Sequence, residues 1–212
     1  MAYDFKKEQK KLYAPKNCPE ILEVPMMKFI SVEGSGNPNE EDGFYKQAVG
    51  MLYTIAYTLK MSYKTEYEIV GFFEYVVPPL EGFWWTEDGK PFDYNSKEKF
   101  RWISVIRVPE FITKENLWWA IENAKEKKKM DCSKVKLIEI EEGLCVQMMH
   151  LGSYDDEPKS IEMMDKFIEE KGYENNITDK RRHHEIYLSD PRRTPNEKLK
   201  TILRHPIKMK EE

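Results

Sequence analysis

The 212-residue chain is 40% apolar and 13% aromatic, with five Trp and twelve Tyr, which excludes a disordered polymer and suits one domain with a real core. Its net charge of -4, from 38 acidic and 34 basic side chains, offers no basic stripe for nucleic acid. Three cysteines without CxxC spacing, a charged amino terminus without a signal segment and no apolar run near the about 20 residues of a membrane span predict a reduced, cytoplasmic protein.

In chain order, residues 1–25 read as a lead-in: a Lys-rich helical turn, Pro15 and Pro19, and an edge strand over 21–24 ended by Pro25. An apolar run at 29–32 stops at Gly34-Ser35 and is followed by an acid-rich turn. A helix over about 43–60 comes next, with Phe44, Ala48, Met51, Leu52, Ile55, Ala56 and Leu59 on one face. Residues 67–77, rich in aromatic and β-branched side chains and ended by Pro78-Pro79, predict a strand, and 101–108 predict the next. Between them, 78–100 read as a long aromatic loop, a usual place for a lid or a functional segment. A second helix starts at the N-cap Thr113 and ends in the basic run 125–129, and 135–140 form a connecting strand.

The same pattern then recurs. An apolar run at 144–151 stops at Gly152-Ser153, an acidic turn follows, and a helix opens with Pro158, buries Ile161, Met164, Phe167 and Ile168, and stops at Gly172. Strands over 184–188 and 201–207 complete it. Each half closes on a similar phrase, Ile106-Arg107-Val108-Pro109 and then Leu203-Arg204-His205-Pro206. The reading is a single α+β domain over 1–212, with modules at about 26–130 and 131–208. Two strand–helix–strand–strand modules form one curved, mainly antiparallel sheet with a central ligand cleft.

Glu185 and Tyr187 are the sharpest site candidates, because residues two apart on a strand share a face. If the helices cover the Ile186 face, both project into the cleft, where aromatic surroundings would raise the carboxyl pKa and suit a general base. The alternative is a polar strand face in water. The pairs Trp84-Trp85 and Trp118-Trp119 cannot each bury on one face, so a leftover ring can line a pocket or fasten the long loop to the core. His150, beside the Gly152-Ser153-Tyr154 turn and near Glu157, could do acid–base work or be a structural histidine. Met148 and its neighbours fill core or form an adaptable wall, and Cys145 is inert core. Gly34-Ser35-Gly36 lacks the features of a phosphate loop. The adjacent His183-His184 with Glu185 matches no metal motif, so no metal and no cofactor are expected.

The segments 80–85, 106–113, 141–158 and above all HHEIYLSDPRRTPNEKLKTILRHP at 183–206 resemble the GyrI-like small-molecule-binding superfamily, closest to its stand-alone bacterial branch, over nearly the whole chain. The resemblance implies binding of planar aromatic ligands between the two modules, with Glu185 matching the glutamate at the pocket's centre. One branch comprises cyclopropanoid cyclopropyl hydrolases, which open the strained ring of duocarmycin- and yatakemycin-type DNA alkylators with water and so give protection from genotoxins. On that footing Glu185 would activate water, Tyr187 or Tyr154 would stabilise charge on the carbonyl oxygen, and Trp85 and Trp118 would sandwich the flat ligand. The chain lacks a helix-turn-helix region, unlike the transcription activators of the superfamily, and it specifies no protein partner. Two other readings remain: a non-catalytic drug-sequestering module, and a haem-binding protein with His150 or His184 as axial ligand.

Overall fold

Pro25 ends the first short strand, and the apolar run after it forms the first long one. The computed structural model describes residues 2–86 and 96–211. Two single-turn helices, α1 (Phe5–Glu8) and α2 (Lys10–Tyr13), precede β1 (Glu20–Val24) and β2 (Met27–Ser35). Then come α3 (Phe44–Lys60), β3 (Leu80–Thr86), β4 (Phe100–Arg107), α4 (Lys114–Lys128) and β5 (Lys136–Ile140). The second half supplies β6 (Gly143–Leu151), α5 (Glu157–Glu170), β7 (Tyr173–Asn175), β8 (His183–Tyr187) and β9 (Lys200–Met209).

The strands form one curved nine-stranded sheet in the order β1-β6-β9-β8-β3-β4-β2-β5, with β7 on β9. Every strand pairing in it is antiparallel among the described residues. The repeat is visible in this order: β6-β9-β8 of the second module mirrors β2-β4-β3 of the first, and the modules join where β8 meets β3. At that seam Gly82 is opposite Glu185, Phe83 opposite His184 and Trp84 opposite His183.

On the front face, α3 lays Ala48, Leu52, Ile55, Ala56 and Leu59 over Ile30, Val32, Trp102 and Ile106. Each large side chain so buried contributes about 1.5–3 kcal/mol. Thr113 and Asn116 form a reciprocal capping box that starts α4, which packs against α3 through its Leu117, Ala120 and Ala124 side. In the second module α5 sets Met164 and Ile168 on Val146, Met148, Leu203 and Ile207. The back face is covered by the N-terminal segment and the 69–75 loop: Phe5, Leu12, Tyr13 and Tyr75 pack on Phe29, Phe83, Val105, Ile186 and Ile202.

Two expectations are corrected. Residues 67–77 form no strand: Tyr67 stacks on Trp119, Phe72 and Tyr75 pack around Phe111, and Tyr75 makes one isolated bridge to Tyr3. The aromatic, β-branched composition reports packing on a half-buried surface rather than a ladder. The strand lies instead at β3, inside the stretch read as a long loop. Buried Glu81 and side-chain-free Gly82 disguise it by breaking the apolar pattern. Residues 87–95 of that stretch lie outside the described residues. Second, the long helices cover the Glu185 face, and the Ile186 face is covered by the lead-in segment.

Candidate functional site

The site sits at the seam between the modules, on the front face. Alternation along β8 aims His183, Glu185 and Tyr187 the same way, and β3 brings Trp84 alongside. Tyr45 reaches in from the first turn of α3, its ring 5.4 Å from Trp84 and edge-on to Trp102 at 5.0 Å. The turn before α5 brings Tyr154 edge-on to Tyr187 at 5.9 Å, and the first residue of α5 is buried Glu157.

A hydrogen-bonded chain runs through these side chains. Trp84 Nε1–H donates to Tyr187 Oη at 2.9 Å, and Tyr187 donates to Glu185 Oε2 at 2.7 Å. The other carboxylate oxygen, Oε1, lies 2.9 Å from His183 Nε2, and His183 Nδ1 lies 2.6 Å from His205 Nε2. Burial, and then the neighbouring His183, hold the His205 pKa well below the ordinary value, so its ring is neutral. Among the described residues His205 Nδ1 has no partner. An unmatched lone pair costs less there than an unmatched N–H, which assigns the His205 proton to Nε2 and leaves His183 donating to Glu185. Burial first, and the Glu185 charge second, raise the pKa of Tyr187 and Tyr45 and push Tyr154 up to about 12. All three therefore carry their protons at neutral pH, and Tyr187 donates its own to Glu185.

The remaining sequence candidates are placed as follows. Trp84 belongs to the cluster, but Trp85 points to the back face, where the Arg182 guanidinium lies 3.5 Å from its ring centroid. Trp118 is 70% exposed on α4. A sandwich of Trp85 on Trp118 is therefore not formed, because adjacent strand residues part to opposite faces and α4 turns Trp118 outward. His150 is buried, with Nδ1 2.9 Å from Ser160 Oγ and Nε2 2.9 Å from the Ser153 carbonyl. It ties the end of β6 to the turn that carries Tyr154 and to the first turn of α5. Met148 is core under α5.

Glu157, His183 and Glu185 each offer one ligand atom, all within 4.8 Å of one another, a nitrogen–oxygen set that could hold a divalent ion. The adjacency of His183 and His184 hid this grouping; the alternating pair is His183 with Glu185, and α5 brings the third donor.

Directly behind the site, on the back face, lies an ionic network that the sequence reading did not find. His184 is fully buried, its Nδ1 3.0 Å from Glu142 and its Nε2 2.9 Å from Glu81, with its ring stacked on Phe83 at 4.0 Å. Arg204, also fully buried, bonds Glu142 at 3.0 Å, Gln147 and the Leu12 carbonyl. Tyr13 donates to Glu81 at 3.2 Å. Burial alone would lower the His184 pKa, but Glu142 and Glu81 outweigh it and raise it; burial would raise that of Glu142, yet His184 and Arg204 pull it down to about 2. Both ring nitrogens of His184 are engaged, as are those of His150, so neither presents a lone pair for haem iron. The Cys145 thiol, pushed up to about 12 by burial, is unreactive.

A single open sheet built of two strand–helix–strand–strand modules, with an acid and aromatic rings at their seam, defines a small-molecule-binding class of domain. The chain belongs to the GyrI-like small molecule binding domain family, which matches residues 18–208. It is 47% identical to a hydrolase from Listeria innocua, over 97% of this chain and 100% of that one, with a TM-score of 0.89. An uncharacterized conserved protein from Listeria innocua is 49% identical over 97% and 100%, with a TM-score of 0.91. The EcmrR C-terminal domain shares the fold at 13% identity and a TM-score of 0.52, over 91% of this chain and 98% of that domain. No curated protein matches the chain.

Proposed function

We propose that the protein is a cytoplasmic hydrolase that binds flat, electrophilic aromatic compounds over the module seam and opens a strained ring in them with water. The class of substrate is the cyclopropane-bearing DNA alkylators of the duocarmycin and yatakemycin type, and the role is protection from genotoxins. One observation carries this reading: the Glu185 carboxylate is held by Tyr187 and His183 among Trp84, Tyr45 and Tyr154. The likeness to a hydrolase from Listeria innocua supports it.

In this reading a water molecule next to Glu185 attacks the cyclopropyl methylene carbon. The water's proton passes to the Glu185 carboxylate, the carbon–carbon bond of the ring breaks, and its electron pair moves through the dienone onto oxygen as a phenolate. Tyr187 already donates to Glu185, so Tyr154 is the hydroxyl free to face the developing oxyanion. His183, backed by His205, orients Glu185 through its Nε2–H, and the proton that Glu185 takes up passes on to the phenolate oxygen of the product or to solvent water. Relief of ring strain makes the step downhill, so positioning supplies much of the acceleration.

The test is a multiple-turnover assay of wild type and Glu185→Gln with a cyclopropanoid alkylator, with ring-opened product followed by mass spectrometry. The expected result is product in molar excess over wild type, and none above the uncatalysed rate from a variant that still binds. Stoichiometric binding by both proteins without product would replace the hydrolase with a sequestering module.

A further inference from the structure

The back face carries a second cleft, remote from Glu185, of about 440 Å³. This is the size of a small-molecule site. Its walls include Tyr3, Phe5, Phe73 and Phe111; Gln9, Arg107 and Glu110 supply polar groups, and the mostly exposed Glu110 carboxylate is paired with Lys28 at 3.9 Å. The rings meet edge-on, Tyr3 to Phe5 at 4.9 Å, Tyr3 to Phe73 at 5.6 Å and Phe73 to Phe111 at 5.0 Å.

Arg107 is what makes this more than an apolar groove. It is 6% exposed, with its guanidinium 4.6 Å over the Phe5 ring. Its hydrogen bonds run from Nη1 alone among the described residues, to Gln9 Oε1 at 2.7 Å and to Tyr13 Oη at 3.4 Å, both uncharged. Nε is buried without a partner, and no carboxylate pairs with Arg107 among the described residues. The side-on edge formed by Nε and Nη2, the edge that takes a carboxylate in two parallel bonds, is therefore unused. The repeat sharpens the contrast. Arg204 holds the corresponding place in the second module and has Glu142, while Glu81 and Glu142 are already matched by His184 and Arg204. Arg107 is thus one buried positive charge in excess, which an incoming anion would neutralise.

We infer that this cleft is a second ligand site, specific for flat aromatic monocarboxylates, with the carboxylate on Arg107 and the ring between Phe5, Phe73 and Phe111. It lies on the opposite face of the sheet from the seam site and works independently of it.

The test is calorimetric titration of the full chain with 2-naphthoate and, separately, with its neutral isostere 2-naphthamide. The expected result is one-to-one binding of the acid at least tenfold tighter than the amide. That preference should be lost in Arg107→Gln, both probes should be weakened by Phe73→Ala, and neither should be affected by Glu185→Gln. Phe73 is 44% exposed, so its variant folds and decides the location even if Arg107→Gln does not. Equal affinity for acid and amide, a preference that survives Arg107→Gln, binding indifferent to Phe73→Ala, or binding lost in Glu185→Gln would each overturn the assignment.

Discussion

Gly82 and Glu185 stand opposite each other across the β3–β8 pairing, and the missing side chain of the first makes room for the partners of the second. A Cβ at Gly82 would lie 2.5 Å from Trp84 Nε1 and 3.0 Å from Tyr187 Oη. The indole and the phenol meet over a bare stretch of backbone, and from there Tyr187 reaches the carboxylate. Gly82→Ala should therefore separate the Trp84–Tyr187 hydrogen bond, cost about 1–3 kcal/mol in stability and lower turnover in the ring-opening assay. Melting temperature and rate together check this; unchanged values for both would show that the close approach does not matter.

Tyr187→Phe removes the donor to Glu185 and leaves the Trp84 N–H without its acceptor. We expect a loss of about 1–3 kcal/mol in stability and a fall of roughly 10- to 100-fold in kcat. Single-turnover measurements separate the rate from binding, which should change little because the ring remains.

The back-face network sets a pH window for stability. Glu142 has a folded pKa of about 2 against an ordinary 4.5, so its contribution is complete above about 4.5 and is lost as pH falls toward 2. The His184 pKa is raised above 6.5, so its contribution is complete below that value and fades as pH rises through the folded pKa. Denaturant midpoints should therefore decline on both sides of a plateau between these values. Glu142→Gln should flatten the acid limb and cost about 3–5 kcal/mol, because Arg204 and His184 stay buried without their shared counter-ion. An acid limb identical to that of wild type would assign it to other carboxylates.

Trp118 and Trp84 should behave as opposites. Trp118→Ala, on the exposed side of α4, should shift stability by no more than about 0.5 kcal/mol and leave ligand affinity unchanged. Trp84→Ala, at 5% exposure, should cost about 3–5 kcal/mol and weaken binding of an aromatic ligand. Fluorescence titration of both variants tests the pair, and a large loss of affinity on removing Trp118 would place ligand against α4.

Much of the architecture was legible because it rests on short-range signals. Thr113 does cap a helix, α3 and α5 bury faces close to those their spacing predicts, and the repeated Arg phrases lie in equivalent strands. The seam strand β3 was missed because both of its informative residues break pattern: Glu81 is a charge inside the back-face network, and Gly82 contributes by having no side chain. The pairing of Glu185 with Tyr187 could be read from alternation, and His183 carried the same signal. Tyr45, His205, Glu142 and Arg204 gave no comparable sign. They reach their places through pairings between distant segments, and a buried salt bridge leaves no periodicity in the chain.

The strand His183-His184-Glu185-Ile186-Tyr187 alternates between two different tasks, and that has a bearing on how the chain finds its fold. A slip of one residue in β8 would turn Glu185 to the back, beside Glu81 and Glu142, and would take His184 away from both. Three carboxylates would then share a dry space whose balancing imidazolium had gone to the other side. Such a pairing is rejected by charge before any question of shape arises. The ions beneath the seam thus act as a proofreading step in assembly, admitting the one alignment of the two modules that also sets the carboxylate among its donors.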